Sequence, residues 1–208
     1  MLTQCSRGKV LPISLIPRFG MCAVRALLFA AGGAIAGFGL GAMAAPTHHG
    51  GSAHDAYTLA GRVVHVADGD TFTLLVEGRE ERIRLASIDA PETTHGRERP
   101  GQPFGQVSRD ALARLVAGKT LSVICFERDR YERSVCNVPL SDGSTANQKQ
   151  VADGVAWANM EGHGKYMRDP KIPELEAQAR HSRLGLWRSP NAVRPWVWRY
   201  QCWKQRQC

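Results

Sequence analysis

Residues 59–88, LAGRVVHVADGDTFTLLVEGREERIRLASI, decide how this chain folds. Apolar and polar residues alternate through three runs: 59–66 (LAGRVVHV), 71–77 (TFTLLVE) and 80–88 (EERIRLASI). That period of two is the signature of half-buried strands. The runs are punctuated by Asp68-Gly69-Asp70 and Gly78-Arg79, both turn signals.

Working outward, Val107, Ala111, Leu112, Leu115 and Val116 recur at helical spacing, and Gly118 is a natural stop. Residues 119–127 and 133–139 read as strands four and five. Asn147 to Asp153 reads as a short helix ended by Gly154. A last helix takes Pro173 in its first turn, runs to about His181–Arg183, and presents Leu175, Ala179 and Leu186 as an apolar face. Gly185-Leu186-Trp187 then docks on the core. Three strands, a helix, two strands and two helices predict an α+β domain: a five-stranded OB-fold β-barrel with about three packed α-helices. Such barrels are common oligonucleotide platforms, but activity has to be read from a site.

The chain has 208 residues, with 27 Lys and Arg against 19 Asp and Glu. Arg7, Lys9, Arg18 and Arg25 precede an uninterrupted apolar run over 26–45, and Ala42-Met43-Ala44 offers an A-x-A cleavage site. This is a secretory signal pattern over 1–44, with Met21 as a candidate true start. The competing reading is a membrane anchor through 26–45, since about 20 apolar residues can span a bilayer. Removing residues 1–44 leaves 23 basic residues against 19 acidic ones, an excess of four rather than eight. A small positive excess is compatible with a polyanionic partner without demanding one. Residues 45–56 read as a flexible lead-in, 57–190 as the barrel domain, and 191–208 as a basic, Trp-rich, Cys-containing tail.

Cys125, Cys136, Cys202 and Cys208 lie beyond the signal, and an even count in an exported chain favours disulfides. Cys125 and Cys136 flank a hairpin centred near Arg130, facing each other across its strands. Cys202 and Cys208 are spaced to close a small loop. Count and spacing alone leave the connectivity open. There is no CxxC and no His pair at zinc-site spacing.

The chemistry sits in three short motifs: Asp68-Gly69-Asp70-Thr71, Arg84-Leu85-Ala86-Ser87-Ile88-Asp89-Ala90-Pro91-Glu92, and Asp129-Arg130-Tyr131-Glu132-Arg133. Taken singly, the first is a hairpin turn and the second a strand exit. Together they supply what phosphodiester cleavage needs. Asp70 starts one strand and Asp89 ends another, so a closed barrel can bring both to one rim. Two carboxylates there call for a hard cation with oxygen ligands, and Ca²⁺ suits a flexible set better than Mg²⁺. Glu92 is placed to position or deprotonate a water. Arg84 and Arg133 offer planar, bidentate donors to a dianionic phosphorane.

In this ordered set, DGDT, RLxxxDAPE and DRYxR followed by GVAWAN and GLW, the chain resembles the staphylococcal-nuclease-like (thermonuclease) family from about Tyr57 to Trp187. The resemblance implies Ca²⁺-dependent hydrolysis of DNA and RNA with little sequence specificity, leaving 3′-phosphate ends. It implies Arg84, Glu92 and Arg133 as catalytic residues, and Asp70, Asp89 and the Ala90 backbone carbonyl as metal ligands. Arg130 and Tyr131 are implied to bind a terminal phosphate. The Cys125–Cys136 pairing and the Pro195-Trp196-x-Trp198-Arg199 tail resemble features of exported bacterial members. The partners expected are single-stranded or locally melted DNA and RNA. The mature protein is expected to be a secreted or periplasmic monomer with no stable membrane association.

Two departures stand out. Many members carry Gly where this chain has Glu132, and a glycine there permits a positive φ that glutamate resists. The family's aromatic wall for the base is not clearly matched after Trp157; Trp157 or Tyr166 are the candidates to replace it, against core packing for both. The alternative function is a catalytically weakened OB-fold module that binds nucleic acid or another polyanion. The tail has two readings: a disulfide-tied extension sealing the barrel bottom with Trp196, Trp198 and Trp203, or a second nucleic-acid contact through Arg194, Arg199, Lys204 and Arg206.

Overall fold

The computed structural model describes residues 56–208. The signal or anchor read over 1–44 and most of the 45–56 lead-in lie outside the described residues. Among those described, no helix is long and apolar enough to cross a membrane.

Strands β1 (Tyr57–Asp68), β2 (Thr71–Val76) and β3 (Arg79–Leu85) form an antiparallel meander. The β2–β3 link is Glu77-Gly78, both at positive φ (48° and 80°), the backbone of a tight hairpin turn. A two-residue strand β4 (Ile88–Asp89) precedes helix α1 (Gly105–Val116). Strand β5 (Thr120–Arg128) pairs antiparallel with β1, and β6 (Ser134–Asn137) pairs antiparallel with β5 and parallel with β3. The order β1-β2-β3-β6-β5 closes into a five-stranded barrel, so no strand edge is left open. Val63, Phe72, Leu74, Ile83, Leu85 and Val123, one face of each alternating strand, fill its interior. With helix α2 (Ala146–Ala152) packed against α1 and α3 (Lys171–His181) against α2, the α+β OB-type architecture expected from the strand order is present.

Several local readings shift. The third strand does not run unbroken to residue 88. It breaks at Ser87, which takes φ 68° and whose hydroxyl accepts from the Arg168 and Asp169 N–H groups at 2.8 and 3.0 Å. The resumed strand β4 pairs with β7 (Trp157–Ala158). Val107, expected on the inner face of α1, is 49% exposed, whereas Ser108 is fully buried. The helix is rotated because Gly69 packs directly on the Ser108 side chain, a contact that any Cβ would block. Leu186 is buried, but in a separate 3-10 turn, Gly185–Arg188, not on α3.

Both cysteine pairs are bonded. Cys125 and Cys136 are register partners across β5 and β6, and Cys202–Cys208 closes the tail. The tail comprises a one-turn helix α4 (Pro195–Trp198) and a wide turn, Arg199–Lys204.

Candidate active site

The site lies at the rim where the β1–β2 turn, the end of β4 and the end of β3 converge. Asp70 sits in the turn, and its carboxylate is used three ways. Oδ1 accepts from Thr71 Oγ1 at 2.9 Å, Oδ2 accepts from the Ala90 N–H at 2.6 Å, and Oδ2 also meets Arg84. The Leu85 N–H donates to the Asp70 carbonyl at 2.8 Å. The turn is thereby stitched to both β3 and the Asp89-Ala90-Pro91-Glu92 segment. Gly105, the first residue of α1, packs on the Glu92 carbonyl so closely that no side chain fits, which fixes where Glu92 leaves the barrel.

Arg84 reaches Asp89 Oδ1 through Nη2 at 2.6 Å, while its Nη1 pairs with Asp70 Oδ2. Arg84 is thereby held between two carboxylates, at the rim where a phosphate oxygen would meet it. Asp70 and Asp89 are 5% and 1% exposed, an unusual depth for two carboxylates, and only positive charge makes it tolerable.

The electrostatics follow from burial and pairing. Burial would raise the Asp89 carboxyl, but Arg84 and Arg199 outweigh it and the net shift is downward. Burial lowers Arg84, opposed chiefly by Asp89. Burial also pushes the Glu92 carboxyl up, with Arg199 pulling the other way. Asp70, Asp89 and the Ala90 carbonyl are oxygen donors only, a set that fits a hard divalent cation. A second cluster lies beside it: ligand atoms of Asp68, Glu92 and His95 fall within 4.8 Å of one another. Its imidazole makes it a poorer match for Ca²⁺.

The third motif forms the opposite wall of a cleft of about 1130 Å³. Arg133 lines it but is tied down by Asp129, with Nη2 and Nε at 2.6 and 2.8 Å from Oδ2. Arg130 stacks 4.8 Å from the exposed Tyr131 ring and donates to its hydroxyl at 2.9 Å. Thus Arg84 joins Asp70 to Asp89, and Glu92, Arg133, Arg130 and Tyr131 line the same cleft.

A model of the family described as staphylococcal nuclease homologue matches residues 82–189, about half of the chain. An uncharacterized endonuclease of Escherichia coli O157:H7 is 42% identical over 141 residues, covering 68% of this chain and 85% of its own length. The chain belongs to the staphylococcal nuclease family. A micrococcal nuclease of Shigella flexneri is 42% identical over 147 residues, 67% of this chain and 79% of that protein. A staphylococcal-like nuclease of Arabidopsis thaliana is 33% identical over 124 residues, 60% of this chain and 35% of that protein.

Glu132 does take a positive φ, 58°, the left-handed backbone that glutamate resists. Trp157 is no base platform: it is 4% exposed and packs edge-on against Trp187 at 4.3 Å. Tyr166, 40% exposed, lines the cleft instead. The tail does not seal the barrel bottom. It covers the 95–102 loop at the site's own rim, where Trp198 Nε1 and Trp203 Nε1 both donate to the Pro100 carbonyl at 3.3 and 3.0 Å. Through it Arg199 enters the site, with Nη2 at 2.8 Å from Asp89 Oδ2 and Nη1 at 2.6 Å from Glu92 Oε1. Sequence reading missed this role, because the partners are 110 and 107 residues apart. The only sequence signal was a lone arginine after a Trp pair.

Proposed function

We propose that this protein is a Ca²⁺-dependent nuclease that hydrolyses phosphodiester bonds of DNA and RNA with little sequence preference and leaves 3′-phosphate ends. One observation carries the reading: Arg84 pairs with Asp70 and Asp89, and Arg199 pairs with Asp89 and Glu92, so the three carboxylates and Arg84 lie in one ion-pair network at one rim of the barrel. In this mechanism Asp70, Asp89 and the Ala90 carbonyl hold the ion. Bound there, Ca²⁺ supplies positive charge that offsets the charge gathering on the phosphate.

Glu92 takes the proton from a water whose oxygen attacks phosphorus. The bond from phosphorus to the 5′-oxygen breaks, that oxygen takes up a proton, and the phosphate stays on the 3′ side. Arg84 and Arg133 donate to the non-bridging oxygens as they gain charge. Arg130 and Tyr131 hold a terminal phosphate. Because the reacting phosphate must pass into a rim narrowed by the tail, single-stranded or locally melted substrate is favoured. The protein acts as a monomer, secreted or periplasmic. Two disulfides and the apolar run over 26–45 support export.

The test is incubation of the oxidised protein with heat-denatured DNA in alkaline buffer, with Ca²⁺ or with chelator. Ca²⁺-dependent cleavage should appear and fall about 10²–10⁴-fold in Glu92→Ser and by at least about 10²-fold in Arg133→Gly. No cleavage, with salt-sensitive DNA binding retained, would replace the enzyme by a polyanion-binding module.

A further inference from the structure

Arg199 is not a stray side chain that happened to fall into the cleft. Its backbone is anchored on both sides. Before it, Trp198 donates to the Pro100 carbonyl; after it, Trp203 does the same. Trp203 also meets His95 edge-on at 6.3 Å and lies 5.7 Å beneath the Arg99 guanidinium. Arg206 donates to the Glu98 carbonyl at 3.1 Å and pairs with the Glu98 carboxylate. Cys202, 1% exposed, bonds to Cys208 and shortens the loop that carries these contacts. A tail clamped at so many points holds the guanidinium in one place.

That place is Asp89. Arg199 Nη2 takes Oδ2 at 2.8 Å, and Nη1 lies 3.2 Å from Oδ1, which also accepts from Arg84. Both oxygens of this carboxylate are therefore engaged by guanidinium, and Arg199 further binds Glu92. A divalent cation drawing on Asp89 must share or displace those bonds, and must do so beside a second positive charge. Two cations bidding for one buried carboxylate are coupled, and the coupling is reciprocal.

We propose that Arg199 is a resident counter-ion of the cation site: it neutralises Asp89 and Glu92 when no divalent ion is bound, and ion binding proceeds by displacing its guanidinium from Asp89, loosening the tail. The inference rests on the reading of Asp70 and Asp89 as cation ligands. Arg199 is a positioning residue here, acting through Asp89 and Glu92. It gives the unloaded site a closed form with its carboxylates paired. Ion loading then frees a third arginine at the mouth of the cleft.

The experiment is calorimetric titration of the intact, oxidised protein with Ca²⁺, comparing wild type with Arg199→Gln, Arg199→Lys and Asp89→Asn. Amide hydrogen exchange over 195–204 is followed in parallel, with and without Ca²⁺. The expected result is about tenfold tighter Ca²⁺ binding in Arg199→Gln, within the usual range of such couplings, with Arg199→Lys between the two, because an ammonium keeps the charge but not the bidentate grip on Asp89. Exchange in the wild-type tail should rise on Ca²⁺ loading. Unchanged or weaker binding in Arg199→Gln, alongside lost binding in Asp89→Asn, overturns the counter-ion role and leaves the cation site standing. Binding indifferent to Asp89→Asn, or no binding in any variant, removes the cation site itself and this inference with it. Should Arg199→Gln unfold, the exchange measurement decides: a wild-type tail equally protected with and without Ca²⁺ overturns displacement.

Discussion

Glu132 shows how much one backbone angle can decide. An L-residue in the left-handed region is destabilised by about 1–2 kcal/mol, while glycine there gives back about 0.5–1 kcal/mol in chain entropy. Glu132→Gly should therefore stabilise the protein slightly and raise Tm by a few degrees in scanning calorimetry; a fall would mean that the exposed glutamate contributes contacts worth more than the strain. Its neighbour Asp129 does a different job, organising the turn by accepting from the Tyr131 and Arg133 N–H groups and gripping the Arg133 side chain. Burial would raise the Asp129 carboxyl, but hydrogen bonds and charge from Arg133 prevail and hold it below its ordinary value. A carboxyl lowered by folding contributes stability above its unfolded pKa and loses it as pH falls through the folded value. Asp129→Asn should therefore be less stable than wild type at neutral pH, and the gap should close below about pH 4 in acid-unfolding curves. Its kcat should also fall, because Arg133 is no longer held. The motif DRYxR revealed these residue types from sequence. It could not reveal that Arg133 reaches the cleft already paired, because that depends on the turn's three-dimensional closure.

At the scale of elements, α2 is what ties the β1–β2 turn to the core. Thr145 and Gln148 form a reciprocal capping box at its start, and the fully buried Gln150 donates to the Gly69 carbonyl at 2.6 Å and the Ser108 carbonyl at 3.0 Å. Gln150→Leu keeps the volume but leaves a buried acceptor at Gly69 unpaired, at a cost of about 1–3 kcal/mol. Because Gly69 precedes Asp70, the substitution should also shrink the Tm rise expected on Ca²⁺ binding to the proposed site, measured against a control such as Val151→Ala that destabilises α2 without touching the turn. A Ca²⁺ response as large as the wild type's would show that the tether serves stability alone. Elements of this kind were legible in proportion to their length. The long alternating strands and α1 announced themselves through period, which is local. The β4–β7 pair has two residues a side and no period to read. The rotation of α1 that buries Ser108 and exposes Val107 is set by Gly69 and Gln150, 39 and 42 residues away, so no window of sequence contains its cause.

Across the whole molecule, the surplus of positive charge matters less than where it is already neutralised. Of the basic residues lining the cleft, Arg128 pairs with Glu81 at 2.8 Å, Arg206 with Glu98, Arg133 with Asp129, and Arg199 with Asp89 and Glu92. Arg82, Arg99, Arg130 and Lys204 line the same cleft with no acidic partner among the described residues, and Arg130 and Lys204 stand for its two banks. Single-stranded nucleic acid releases about 0.7 counterions for each phosphate a protein neutralises, so only groups with charge to offer contribute to the salt dependence of binding. Arg130→Ala and Lys204→Ala should each lower the slope of log K against log salt by about 0.7, whereas Arg128→Ala should change it far less. The measurement is fluorescence anisotropy of a labelled oligonucleotide in chelator across a salt series, where binding is read without cleavage. Lys204 lies two residues past the buried Cys202, in the wide turn that begins at Arg199, and so reports on the tail specifically. If Arg130→Ala flattens the slope and Lys204→Ala does not, the substrate path runs along the barrel wall and the tail acts on the carboxylates alone. If both flatten it, the tail forms the second bank of the nucleic-acid channel.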